Sequence, residues 1–153
     1  MKKFELTSEF VTFLGKKLFR IKALISFGNV KEGELGGYVE KEENLDQSGD
    51  AWVYGDAWVY GDARVYGDAR VCGDARVYGN ADYATVHGFG SEYRTTTFFR
   101  TKAGDIGVRC GCFYGTLEEF RAKVKETHGE TKTAKEYLRV ADLMEFRFSK
   151  EEV

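Results

Sequence analysis

The chain has 153 residues, 23 Lys and Arg against 25 Asp and Glu, and a formal net charge of −2. That length suits one compact domain, or a solenoid with two small appendages. The near-balanced charge argues against a generic nucleic-acid binder, and no apolar run approaches the roughly 20 residues that span a bilayer.

Residues 1–32 read as an N-terminal β cap. Phe19, Ile21, Ala23, Ile25 and Phe27 alternate with Leu18, Arg20, Lys22, Leu24 and Ser26, the period of a strand with one apolar face. Phe10 to Leu14 is a second strand, and Gly15-Lys16-Lys17 is the turn between them. The first residues, Met1-Lys-Lys-Phe-Glu-Leu-Thr7, lack the apolar stretch of a signal peptide.

Residues 33–84 read as a β-solenoid, with strict repeats over 49–84. Gly-Asp-Ala-Trp-Val-Tyr starts at Gly49 and again at Gly55; Gly-Asp-Ala-Arg-Val then starts at Gly61, Gly67 and Gly73, and the pattern fades from Gly79. A fixed short period marks a solenoid. Val53, Val59, Val65, Val71 and Val77 fill a large inward slot, and Ala51, Ala57, Ala63, Ala69, Ala75 and Ala81 a small one two residues earlier. Two residues is the step that returns a strand side chain to the same face. Gly-Asp supplies the corners, because glycine accepts positive φ and Asp caps its own turn. A helix would lose about 1 kcal/mol at every such glycine.

Three hexads close one coil, so outward residues eighteen apart should stack: Trp52 with Arg70, Trp58 with Arg76, Tyr60 with Tyr78. Arg over an indole is a favourable cation–π pair. Stepping back in sixes from Ala51 reaches Leu45 and Val39, so the inward register extends into an irregular first coil that caps the solenoid edge.

Residues 85–91 read as a glycine-rich linker and 92–153 as an α+β unit. Thr95 to Thr101 and Ile106 to Tyr114 form a hairpin about Lys102-Ala-Gly-Asp105. Thr116 and Glu119 form a capping box that opens a helix running to about His128, and Gly129 stops it. Thr133 and Glu136 form a second box, and Phe146 and Phe148 alternate with polar residues as a closing strand would. The expected fold is mainly β: a short left-handed parallel β-helix with an N-terminal hairpin cap and a C-terminal hairpin plus two helices.

The left-handed expectation rests on a resemblance. An aliphatic residue, a two-residue corner, then a small residue resembles the hexapeptide repeat of left-handed β-helices. A wider resemblance runs from Gly33 onward. Leu35-Gly-Gly-Tyr-Val-Glu-Lys-Glu-Glu-Asn-Leu45, Thr95-Thr-Thr-Phe-Phe-Arg-Thr101, Cys110-Gly-Cys-Phe-Tyr-Gly-Thr-Leu-Glu-Glu-Phe120 and Glu126-Thr-His-Gly129 resemble small proteins of bacteriophages, prophages and their hosts. This implies a phage-related protein in the host cytoplasm that binds a host protein and inhibits a bacterial defence system such as CRISPR. The resemblance carries over no catalytic residue.

The leading expectation is a non-enzymatic binding protein with no cofactor and no metal. Its contact residues would be Trp52, Trp58, Arg70 and Arg76, then Glu40, Glu42 and Glu43, since exposed aromatics and Arg dominate hot spots. A flat solenoid side with exposed rings also suggests a homodimer or homotrimer. The acidic segment 31–50 and the corner aspartates could mimic nucleic acid in a basic channel. Arg94, Arg100 and Arg109 with Thr95, Thr96 and Thr97 could bind an anion and sequester a nucleotide. Hexapeptide solenoids also resemble acyltransferases, for which His87 would be the base; His128 ends a helix, where its charge suits the dipole. Cys110 and Cys112 share one side of the expected strand and read as buried small hydrophobes, and Cys72 as a free thiol of a reducing compartment.

Overall fold

The computed structural model describes residues 1–90 and 92–149. The expected closing residues 150–153 and Ser91 of the linker lie outside that range. Strands β1 (Phe4–Phe13) and β2 (Lys16–Ala23) form the N-terminal hairpin. Its turn is Leu14-Gly15, both at positive φ of 50° and 78°, so Lys16 and Lys17 belong to β2 and not to the turn. Two consecutive left-handed residues match the twist of the flanking strands. Of the expected apolar face, Ile21 and Ala23 are buried, and so is Leu18, expected on the other face.

The hairpin is built onto the repeats. β2 pairs antiparallel with β3 (Leu35–Val39), and β3 pairs parallel with β5 (Trp58–Val59), which pairs parallel with β7 (Arg76–Val77). A second ladder joins β4 (Trp52–Val53) to β6 (Arg70–Val71), and a single parallel bridge joins Leu45 to Val65. The repeat core is as expected: the five valines and Ala51 to Ala75 are all fully buried. The corner glycines from Gly49 to Gly73 sit at φ of 60–74°.

Three features depart from expectation. The ladders are two residues long and unequal, one merging into a five-stranded mixed sheet, in place of a uniform three-sided coil. Val39 aligns with Val59 and Leu45 with Val65, so both occupy the large slot. Two extra residues before Val53 cause this, and a shift of two leaves the inward face unchanged. Ala81 is exposed, because a 3₁₀ turn at Asn80–Asp82 ends the repeat.

The expected linker is a strand. β8 (Tyr83–Phe89) pairs with β9 (Arg94–Arg100), β9 with β10 (Ile106–Cys110), and β10 with β11 (Phe113–Thr116), all antiparallel. The expected single return strand breaks at Gly111, whose φ is 58°. Helix α1 (Leu117–His128) opens at the Thr116–Glu119 box as read. Helix α2 (Lys132–Phe148) starts at Thr131, whose hydroxyl accepts from the Ala134 amide, and not at Thr133. The earlier cap adds a half-turn that buries Ala134. Phe148 extends the Ala141–Met144 stripe, so the expected closing strand is helix. Among the described residues no helix is long and apolar enough to cross a membrane.

The C-terminal sheet caps the repeats by strand alternation. Phe98 packs with the helices while Phe99, one residue on, joins the solenoid core. The Arg70 amide donates to Thr97 Oγ1 at 3.0 Å, and the Lys102 amide to the Asp74 carbonyl at 2.8 Å. An otherwise open edge is thereby covered.

The opposite edge is closed by a buried cation. Lys3 is 1% exposed; its Nζ donates to the carbonyls of Ala51 (2.9 Å), Gly49 (3.2 Å) and Ser48 (3.5 Å) and lies 4.7 Å from the Phe27 ring centre. Burial pushes its pKa below the ordinary value, against the pull of Asp46 and Asp50. Lys3→Met keeps the stem but strips these carbonyls of their donor. The expected loss is about 3 kcal/mol, read as a lower urea midpoint at constant slope. An unchanged midpoint would show that the ammonium closes nothing.

Candidate interaction face and cleft

Two arrangements outside the core bring chemistry-bearing side chains together. The first follows from the ladder itself. Trp58 and Arg76 are paired residues of neighbouring parallel strands, so the guanidinium lies over the indole at 3.9 Å. Arg76 is pinned there by donating to the Asp56 carbonyl (3.3 Å) and the Ala75 carbonyl (2.8 Å). Burial pulls its pKa down from the ordinary value, opposed by Asp74.

Tyr60 and Tyr78, also eighteen residues apart, lie together with their rings tilted by 35° and centred 5.8 Å apart. Phe13, at the tip of β1, reaches over to both columns, 5.2 Å from Trp58 and 5.8 Å from Tyr60. The result is one continuous aromatic face. Tyr78 is 62% exposed; Phe13, Trp58, Tyr60 and Arg76 are half-buried. The sequence reading had Trp58, Arg76 and the two tyrosines but missed Phe13. The strand pattern placed Phe13 in the hairpin and held no sign of where the hairpin folds back.

Trp52 is not part of this face, a correction to the sequence reading. It is 0% exposed, enclosed edge-on by Phe4 at 6.2 Å and Phe27 at 5.3 Å. A side chain with no accessible surface cannot touch a partner. Arg70 pairs with Trp52 in the ladder but is absent from this face; it opens onto the cleft described below.

The acidic residues are partly spent on the fold. Glu40 accepts from the Gly61 amide at 2.9 Å and faces Lys16, and Glu42 pairs with Lys2 at 3.1 Å and accepts from Gln47. Glu43 is exposed. Among the corner aspartates, Asp56 faces Arg20 at 3.5 Å and Asp62 faces Lys41 at 4.0 Å. Both aspartates remain exposed to solvent.

The second arrangement is a cleft of about 540 Å³ between a solenoid corner and the C-terminal sheet. Of the expected anion-binding set it gathers Arg94, Arg109 and Thr95, and adds Arg70 and His87. Arg100 lies elsewhere, paired with Asp82 at 2.9 Å and over Phe148 at 5.3 Å. Thr96 is buried against Cys110, to which its hydroxyl donates at 3.2 Å. Alternation along β9 separates Thr95, which faces the cleft, from Thr96 and Arg100 on the opposite face; Arg94, at the start of β9 beyond the register shift between His87 and Phe89, lines the cleft as well. Arg109 Nε donates to the Gly111 carbonyl at 2.9 Å, with its guanidinium 5.6 Å from the Tyr54 ring centre. Burial raises the Tyr54 and Cys72 pKa values, and Arg70 and Arg109 oppose the rise at both.

The remaining candidates resolve individually. His87 on β8 is exposed, with Nδ1 2.8 Å from Thr95 Oγ1. His128 stacks on Tyr137 at the end of α1. Cys110 and Cys112 flank the Gly111 turn and do not share a strand face; Cys110 is half-buried and Cys112 exposed, a correction to their expected burial. All three cysteines are free. Among the described residues no cluster of three His, Cys, Asp or Glu could hold a metal ion.

No curated protein matches the chain. A family model described as the YdcK beta solenoid repeat matches residues 57–73 and 69–81, so the central hexads are similar to that β-solenoid repeat.

Proposed function

We propose that the protein is a non-enzymatic binding protein that grips a macromolecular partner with the face made by Phe13, Trp58, Tyr60, Tyr78 and Arg76. One observation carries the reading: these rings form an unbroken series, 5.2–5.8 Å apart from Trp58 through Phe13 and Tyr60 to Tyr78, on a backbone held by parallel ladders. Rigid aromatics and Arg at the centre of a contact are what binding hot spots are made of. The face sits on a repeat that we take to wind left-handed. Following the phage resemblance, we take the partner to be a protein of a bacterial defence system, such as a CRISPR effector, met in the host cytoplasm. A homodimer or homotrimer would present the face more than once.

The test is capture of partners from host lysate with the wild type and with Trp58→Ala/Arg76→Ala. The double variant is expected to lose at least about 2 kcal/mol of binding, a 30-fold weakening, with an unchanged far-ultraviolet spectrum. Equal capture by both proteins would remove this face from the account.

A further inference from the structure

We propose that the cleft between the solenoid corner and the C-terminal sheet is a site for a phosphorylated small molecule whose far end carries hydroxyl or amino donors, the chemistry of a nucleotide. This goes beyond the macromolecular reading and uses none of its contact residues. The volume, about 540 Å³, lies in the range of small-ligand sites.

The two walls differ in net sign, the sheet side carrying Arg94 and Arg109 against Glu92 and the solenoid side Asp50 and Asp68 against Arg70. The sheet contributes Arg94 and Arg109, with Thr95 and His87 already within hydrogen-bond distance of each other at 2.8 Å. Among the described residues, Arg109 and the facing Arg70 have no carboxylate within ion-pair distance. Arg109 is also oriented in advance. Its Nε is committed to the Gly111 carbonyl, which fixes the plane and leaves the terminal nitrogens as a fork. A forked, weakly hydrated cation without a carboxylate partner matches two oxygens of a phosphate.

The solenoid wall contributes Asp50 and Asp68, the same corner position in successive coils, joined by the Asp50 amide donating to the Gly67 carbonyl at 3.1 Å. Carboxylates there accept from sugar hydroxyls or an exocyclic amine. A ligand with an anionic head and a donor-rich tail satisfies both walls; a bare anion satisfies one. Glu92 pairs with Arg94 and lines the same cleft. It is the internal competitor for the phosphate.

The competitor gives the test its direction. Adenosine monophosphate, pyrophosphate and adenosine are titrated by calorimetry into the wild type, Arg94→Gln, Arg109→Gln, Glu92→Gln and Trp58→Ala. Adenosine monophosphate is expected to bind, and adenosine to bind at least about tenfold more weakly, the worth of one charge-assisted hydrogen bond. Each Arg→Gln change should weaken adenosine monophosphate about tenfold or more by the same reasoning. Glu92→Gln should strengthen it, a gain that damage to the fold does not imitate, and Trp58→Ala should leave it unchanged. Absence of binding by both phosphate probes at millimolar concentration would overturn the proposal. So would affinity that is indifferent to both arginine changes. Neither result would touch the aromatic face, whose test uses other residues and a protein partner.

Discussion

Trp52→Ala is expected to lower the unfolding free energy by about 3–5 kcal/mol, while the same change at Trp58 costs about 1 kcal/mol. The two tryptophans occupy the same position of successive hexads, so the difference is a property of what lies above them. Trp52 is 0% exposed, roofed by Phe4 and Phe27 and floored by the backbone of Gly36. The walls of the void cannot collapse into it. The Trp52 and Tyr54 amides are tied to Ala69 and Val71 of the next coil at 3.1 and 2.7 Å. Trp58 is half-buried and its neighbours can close over the gap. Trp52→Phe should recover more than half of the alanine loss. It keeps ring edges for Phe4 and Phe27 and removes an indole N–H that has no hydrogen-bond partner among the described residues; an unsatisfied buried donor is itself worth about 1–3 kcal/mol. Urea titrations of the three variants decide the matter. Equal costs at positions 52 and 58 would mean that the hairpin is not anchored on Trp52.

The repeat was readable because one physical rule is applied over and over. Inward valine, inward alanine and a glycine–aspartate corner recur at a fixed step, and each is decided by residues within six positions of itself. The same periodicity hid what distinguishes equivalent positions. Nothing local separates Trp52 from Trp58; the separation comes from Phe4 and Phe27 on one side and Phe13 on the other, brought in by a hairpin distant in sequence. The cleft was half-readable for a related reason. Arg94 and Arg109 sit on paired strands, but Arg70 reaches them only because β9 packs across the last coil, where Thr97 accepts from the Arg70 amide. Gly88 and Gly90 make residues 85–91 read as a linker, though β8 runs through Phe89. Pairing with β9 supplies the order that β8 lacks alone. Helix α2 starts at Thr131, two residues before the expected Thr133, and that start buries Ala134.

Gly37→Ala is expected to destabilise the protein by about 3 kcal/mol or more, at the severe end of overpacking. The glycine is needed for space and not for backbone freedom. A Cβ there would stand 2.5 Å from the Ala57 carbonyl oxygen and 2.7 Å from Val53 Cγ1. That carbonyl accepts from the Tyr38 amide at 2.9 Å, so it cannot retreat without opening the ladder between β3 and β5. Gly55 supplies the contrast. Its φ is 60° and a Cβ would meet nothing within 4 Å among the described residues, so Gly55→Ala carries only the left-handed penalty of about 1–2 kcal/mol. Hydrogen exchange separates the two mechanisms further. Gly37→Ala should release the amides of Tyr38 and Glu40, which bond the Ala57 and Val59 carbonyls, while β9 and β10 amides on the far cap keep their protection. Gly55→Ala should shift all amides together through global stability. If Gly37→Ala proved the milder of the two, the close passage of β3 over β5 would not be what joins the hairpin to the repeat.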